Sequence, residues 1–222
     1  MLKRCSFALI GALCLCALPQ AWAQTVIYTN DFESGQIGPE WSSNTYLDTH
    51  QQFSTFVGRY SQFEWVTLTI PATSIPPGGG ESPVDMLVEF DLYAIDSWDG
   101  SELVHGIDLF TVKVNEVLFF SESIANTHSF QTFREPDIGR TQLGYGTWKD
   151  SIYLDVTVPF THDRGADLVI KWQSRNLLSL ADESWGIDNV RVSVTNVPAP
   201  GPIALLACAT LTGLVRRRGP KF

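Results

Sequence analysis

The stretch Met86-Leu87-Val88-Glu89-Phe90-Asp91-Leu92-Tyr93 decides the fold class. Its period of two puts Met86, Val88, Phe90 and Leu92 on one face of an extended strand. The same signature recurs on both sides. Downstream, Asp108 to Val114 and Glu116 to Phe120 form a hairpin turning near Asn115. Ser151 to Val158 alternates again, Leu168 to Gln173 is one more strand, and Trp185 to Val194 closes the series. Upstream, Phe63 to Ile70 combines Phe63 and Trp65 with the β-rich run Val66-Thr67-Leu68-Thr69-Ile70, and Val26-Ile27-Tyr28 reads as a first strand. Pro76-Pro77-Gly78-Gly79-Gly80 is a loop. Residues 42–62 are polar and aromatic with no helical period, and 121–150 form a long irregular region; only Asn176 to Asp182 suits a short turn of helix. Short strands separated by turn signals predict an all-β chain, an antiparallel β-sandwich with a jelly roll as its leading topology.

Charge and cysteine usage separate this domain from the chain's two ends. Six of the fifteen basic residues, and none of the twenty-four acidic ones, lie in the terminal segments, so residues 24–196 carry nine basic against twenty-four acidic residues, a net charge of −15. Such a domain repels nucleic acid and anionic membrane, and its acids suit solubility or divalent cations. All four cysteines (Cys5, Cys14, Cys16, Cys208) are also terminal, so no disulfide supports the domain. Its length is ample for one hydrophobic core without a covalent staple.

The N-terminus has the three parts of a secretory leader, residues 1–23. Lys3 and Arg4 precede an apolar run from Phe7 to Leu18, and Ala21-Trp22-Ala23 supplies an A-x-A cleavage site before Gln24. Cys14-Leu15-Cys16 lies inside the apolar run, whereas a lipoprotein needs its cysteine just after the cleavage site. At the other end, residues 197–222 open with Val197-Pro198-Ala199-Pro200-Gly201, continue as an apolar run from Ile203 to Val215, and end in Arg216-Arg217-Arg218. As a helix that run rises about 20 Å, short of a hydrocarbon core of about 30 Å, so a transient membrane stop fits better than a permanent anchor. The arginines would stay cytoplasmic and the domain outside. An apolar helix packed on the domain is the alternative.

This tripartite tail resembles the PEP-CTERM sorting signal of Gram-negative bacteria, whose pattern is Val-Pro-Glu-Pro, a hydrophobic segment and an arginine cluster. Ala199 stands where that family usually has Glu. The resemblance implies processing by an exosortase-like enzyme, an inner-membrane intermediate, and association with extracellular polysaccharide in a biofilm matrix or at the cell surface.

Two acidic turns are candidate sites. Asn30-Asp31-Phe32-Glu33-Ser34-Gly35 and Trp185-Gly186-Ile187-Asp188-Asn189-Val190 together resemble the first and last strands of MAM-type and lectin-like carbohydrate-binding jelly rolls. That resemblance implies a calcium ion on Asp31, Glu33 and Asp188. Calcium takes roughly six to eight oxygen ligands, which carboxylates at adjoining strand ends can help supply. Local turn hydrogen bonds at Asp31 and Glu33, and a buried acid met by backbone donors at Asp188, are the alternatives. The second turn, Asp96-Ser97-Trp98-Asp99-Gly100-Ser101-Glu102, offers Asp96, Asp99 and Glu102 to a cation and Trp98 to a sugar face. A solvated connection with Trp98 folded onto the core is its alternative. Tyr145 and Trp148 in a loop-like stretch are further stacking candidates, while Trp65, Trp172 and Trp185 lie in strands and are expected to be buried.

Catalysis finds little footing. The histidines His50, His105, His128 and His162 sit singly and read as surface or loop residues. No metal-binding His spacing, no G-x-S-x-G and no cysteine nucleophile occur in the domain. Carboxylates are abundant, but a glycosidase needs two at a defined separation. The reading is an exported, non-catalytic surface or matrix protein, binding glycan with a structural calcium or acting as a matrix component without a discrete ligand. A glycan-active enzyme is a third, weaker class.

Overall fold

A computed structural model of the chain describes residues 22–198 apart from 51, 78–81, 103, 105 and 128–129. Eleven strands are placed: β1 (Trp22–Asn30), β2 (Leu47–His50), β3 (Phe53–Tyr60), β4 (Trp65–Ile70), β5 (Val84–Asp96), β6 (Leu109–Val114), β7 (Val117–Ser123), β8 (Ile138–Thr141), β9 (Asp150–His162), β10 (Leu168–Arg175) and β11 (Glu183–Pro198). The only helical element among the described residues is a single 3-10 turn, Ala72–Ser74, so Asn176 to Asp182 is not helical. Ala23–Val197 folds as one compact unit. Of the segment expected as a leader, residues 1–21 lie outside the described residues while Trp22 and Ala23 open β1; of the expected tail, Val197 and Pro198 end β11 and residues from Ala199 through Arg216, Arg217 and Arg218 lie outside.

The strands form two sheets. The larger has the order β2-β3-β11-β5-β9-β8, with β1 also paired to β11; the smaller has the order β4-β10-β6-β7. The ladders along both paths are antiparallel. Connections cross repeatedly from one sheet to the other: β3 is in the larger, β4 in the smaller, β5 in the larger and β6 in the smaller. The two sheets make a β-sandwich whose inner faces share one core.

Side-chain alternation accounts for that core. Met86, Val88, Phe90, Leu92 and Ala94 of β5 point inward, as do Val66, Leu68 and Ile70 of β4 and Ile170 and Trp172 of β10. Trp172 lies at the centre, stacked on Trp41 with ring centroids 5.7 Å apart and edge-on to Phe90 at 5.8 Å. Phe90 reaches Phe110 at 6.1 Å, Phe110 reaches Trp185 at 5.2 Å, and Trp185 reaches Tyr60 at 4.9 Å. Such pairs add specific geometry to the burial of apolar area.

Two irregularities in the larger sheet have a common anchor. The ladder between β5 and β9 shifts register between Phe90 and Leu92, and that between β5 and β11 shifts between Asp188 and Arg191. Asp155 and Asn189, both at positive φ, lie in these regions. The buried Asp91 accepts hydrogen bonds from the Asp155 N–H at 2.8 Å and the Asn189 side-chain amide at 2.8 Å. One outward carboxylate thus ties both bulges to β5.

The larger sheet is buried on part of its outer face as well. Phe53, Phe56, Tyr93, Ile95, Leu143, Tyr145 and Ile152 form a second apolar cluster there. Phe56 lies over Gly186, where any Cβ would strike its ring. His162 ends β9 buried, with Nε2 3.0 Å from the Ala166 carbonyl, and so is not a surface histidine.

The central placement of Trp172 makes a prediction. Trp172→Ala should destabilise the fold by about 3–5 kcal/mol, as large-to-small core substitutions of aromatics do. Trp172→Phe should cost less, because the buried indole N–H has no hydrogen-bond partner to lose. Chemical denaturation of the three proteins gives the comparison.

Candidate functional site

The segment after β5 turns inward and closes one end of the sandwich. Trp98, offered either to a sugar face or to the core, is 0 % exposed, and its indole N–H donates to the Ser184 carbonyl at 2.8 Å. Burial of the ring and satisfaction of its one polar atom explain why it is core rather than surface. Asp96 is buried too, and its backbone N–H donates to Asp150 at 2.9 Å. The cation set Asp96, Asp99 and Glu102 does not converge among the described residues: the carboxylates that lie close to Asp99 are those of Asp108 and Glu183.

That group is Asp99, Asp108 and Glu183, whose carboxylate oxygens lie within 4.8 Å of one another. Asp108 immediately precedes β6 and Glu183 opens β11, so the sandwich end brings them together. Asp108 Oδ2 accepts the Asp99 N–H at 2.5 Å, and Glu183 Oε2 accepts the Leu178 N–H at 2.7 Å. Burial, followed by the charge of Asp99, pushes Asp108 up to about 7. Burial, followed by the charges of Asp108 and Asp182, pushes Glu183 up to about 8. Three hard oxygen donors in this spacing suit calcium or magnesium and lack the nitrogen and sulfur donors zinc prefers.

Asp31, Glu33 and Asp188 do not form a comparable group among the described residues. Asp31 Oδ1 accepts the Glu33 N–H at 3.3 Å, a local turn bond. Glu33 Oε1 accepts the Thr55 N–H at 2.9 Å. Asp188 is buried and held by three donors: the Ser54 hydroxyl at 2.5 Å, the Tyr93 hydroxyl at 2.9 Å and the Asn189 N–H at 2.6 Å. Burial raises its pKa. Its carboxylate therefore organises the outer face of the larger sheet.

Tyr145, the second stacking candidate, is 8 % exposed in the outer apolar cluster, covered by the Arg59 guanidinium 4.3 Å from its ring centroid and by the His50 ring at 4.5 Å. Trp148 is 52 % exposed. Its loop is fastened by Gln142, whose amide donates to the carbonyls of Tyr145, Gly146 and Trp148. Trp98, Tyr145 and Trp148 do not share one exposed groove.

The exposed aromatic surface is elsewhere. A cleft of about 490 Å³ is lined by Ser43, Asn44, Gln62, Phe63, Glu64 and Trp65. Phe63 is 74 % and Trp65 38 % exposed, so Trp65 is not the core residue expected of a strand tryptophan. Val66, Leu68 and Ile70 are the inward set of β4, which turns Trp65 outward with Thr67 and Thr69. Asn44 donates to the Trp65 carbonyl at 2.5 Å, Gln173 donates to the Phe63 carbonyl at 3.1 Å, and the Lys171 ammonium lies 4.9 Å from the Trp65 ring centroid. The turn 61–64 is closed by Glu64, which accepts the Ser61 N–H at 2.7 Å. Two apolar rings thus stand among amide, hydroxyl and charged groups.

No family model matches this chain, and no curated relative matches it. Solved structures do. Dimeric latent PorU from Porphyromonas gingivalis is 14 % identical with a TM-score of 0.46, over 84 % of this chain and 14 % of that one. The CBM22-1 xylan-binding domain of Paenibacillus barcinonensis Xyn10C is 13 % identical with a TM-score of 0.39, over 80 % of this chain and 99 % of that one. The catalytic domain of a GH87 alpha-1,3-glucanase in complex with nigerose is 15 % identical with a TM-score of 0.34, over 81 % of this chain and 29 % of that one. This chain therefore spans a small part of the first of these. All three scores lie below 0.5, and the site is argued from its side chains.

The acidic group predicts an inverted pH dependence. Unfolded Asp and Glu ionise near pH 4, at about 3.9 and 4.3, while folded Asp108 and Glu183 hold their protons to about 7 and 8. Their contribution to stability is present in full below about pH 4 and is lost as pH rises through those folded values. Asp96, Asp150 and Asp188, also raised, act in the same direction. In chelator, the melting temperature should fall between pH 5 and pH 8.5, and Asp108→Asn with Glu183→Gln should flatten that fall. A melting temperature that rises over this range contradicts the assignment.

Proposed function

We propose that this chain is an exported, non-catalytic surface or matrix protein whose β-sandwich, a jelly roll in its interleaved strand order, holds extracellular polysaccharide. The observation that carries the binding reading is the open cleft with Phe63 and Trp65 exposed beside Asn44, Gln62 and Glu64. Its volume falls within the usual range of small-ligand sites, about 300–1,000 Å³. Aromatic faces supply apolar contact to a sugar ring, and neighbouring polar groups meet its hydroxyls.

Export and retention rest on the two ends of the sequence: the leader with Ala21 and Ala23, and the tail with Val197-Pro198-Ala199-Pro200 and its arginines. The proposal assigns their processing to a signal peptidase and an exosortase-like enzyme, with the inner membrane as an intermediate stop and the cell surface or matrix as destination. Cleavage after Ala23 leaves Gln24 at the new terminus, where its side chain donates to the Ser193 hydroxyl at 2.5 Å. If a calcium ion is bound, Asp99, Asp108 and Glu183 rather than Asp31, Glu33 and Asp188 have the converging carboxylates to hold it. A matrix component without a discrete ligand is the second reading, favoured by the structural use of Trp98 and Tyr145.

Retention of the full chain on the producing cell's exopolysaccharide tests the binding reading. Phe63→Ala with Trp65→Ala should abolish retention and leave the melting temperature within a few degrees. Trp148→Ala should change neither, and Trp98→Ala should cost about 3–5 kcal/mol of stability as a core truncation. Retention untouched by the cleft variants would favour the structural matrix reading. Saturating calcium should raise the melting temperature above its value in EDTA; equal values would remove the ion from the account.

A further inference from the structure

The outer face of the smaller sheet carries a charge pattern at odds with the rest of the domain. Residues 24–196 have nine basic and twenty-four acidic residues. Yet Lys171 of β10 is the direct cross-strand partner of Lys113 of β6. Both alternate with inward neighbours, Ile170 and Trp172 for one and Val112 and Val114 for the other, so both point to the outer face. Like charges directly opposite on a sheet are destabilising. In a chain so rich in acids, a carboxylate at either position would relieve the repulsion. Among the described residues Lys113 pairs with Glu116 at 3.6 Å, on an exposed side chain. Among the described residues no carboxylate pairs with Lys171. Its ammonium instead lies against the Trp65 ring at the rim of the cleft.

Trp65 is the partner of Gln173, and Thr67 is the partner of Lys171, which is the partner of Lys113; Thr111, opposite Gln173 on the third strand, is buried. The lysine row crosses three strands about 4.8 Å apart. Glu116 is engaged with Lys113, and Glu64 of the cleft accepts the Ser61 N–H.

We infer that the ligand of this face is an anionic polysaccharide, a chain of uronic-acid type, stacked on Trp65 with its carboxylates on Lys171 and Lys113. The inference rests on the glycan-binding reading of the Phe63 and Trp65 cleft and adds the charge of the glycan to it. The lysine pair, costly to the free fold, is then offset in the complex by charge-assisted hydrogen bonds. A neutral glycan would leave the pair unexplained.

Polygalacturonate and its fully methyl-esterified form distinguish the two levels of the claim, because they share a backbone and differ in charge. The full chain should bind polygalacturonate, bind the ester at least tenfold more weakly, and lose affinity as salt rises. Lys171→Gln should weaken polygalacturonate binding about tenfold, the scale of one charge-assisted hydrogen bond, weaken ester binding by a clearly smaller factor, and hold or raise the melting temperature. Trp65→Ala should abolish binding of both. Equal affinity for acid and ester, with Trp65→Ala still abolishing both, overturns the anionic assignment and leaves the cleft as a glycan site. Binding of neither polymer, with the Phe63 and Trp65 variants also retained on the native exopolysaccharide, overturns both.

Discussion

Trp172 holds the two sheets in one relation. It belongs to β10 of the smaller sheet, yet its ring stacks on Trp41 and meets Phe90 of the larger sheet edge-on. From Phe90 the contacts run through Phe110 and Trp185 to Tyr60, so rings contributed by both sheets interleave along the core. Whatever faces this seam is fixed in parity, and every second residue of each strand must face the other way. The outward positions of Trp65, Lys171 and Lys113 are set by that parity, through inward Val66, Trp172 and Val112. The outward face of the smaller sheet is in this sense a by-product of the core.

The domain's acidity has two different physical outcomes. Some carboxylates serve as backbone clamps: Asp91 and Asp188 hold the bulged region of the larger sheet, and Asp150 accepts the backbone N–H groups of Asp96 and Leu143. Asp99, Asp108 and Glu183 converge, and burial together with mutual repulsion raises the last two far above their ordinary range. Carboxylates kept so close must share protons or a cation. Among the basic residues, Lys171 stands against Trp65 and opposite Lys113, while Arg59 covers Tyr145 and Arg134 and Arg140 pair with Asp137 and Glu135.

Strand content was legible because burial on one face writes a period of two, and β5 and β10 carry it plainly. β3 escaped it: Phe56 and Val57 are adjacent and both buried, one in the outer cluster and one in the main core. A strand covered on both faces has no alternation to read. Trp65 was misjudged by residue type, since a tryptophan in a strand suggests burial; the parity of Val66, Leu68 and Ile70 already pointed it outward. For Trp98 the polar neighbours leave both a sugar platform and a core residue open, and its burial against the Ser184 carbonyl decides for the core. The acidic group unites residues from three separate segments, of which only Asp99 stood in a turn that sequence singled out. The proposed leader and tail are argued from sequence alone, residues 1–21 and 199–222 lying outside the described ones.

Hydrogen–deuterium exchange of the full chain with and without the native exopolysaccharide bears on the central claim most directly, since it reports where the ligand sits. The account predicts slowed exchange in 62–67 and in 171–175, on β4 and β10, with the 142–148 loop unchanged. Slowed exchange confined to the Trp148 loop, or none anywhere with ligand in excess, would contradict it.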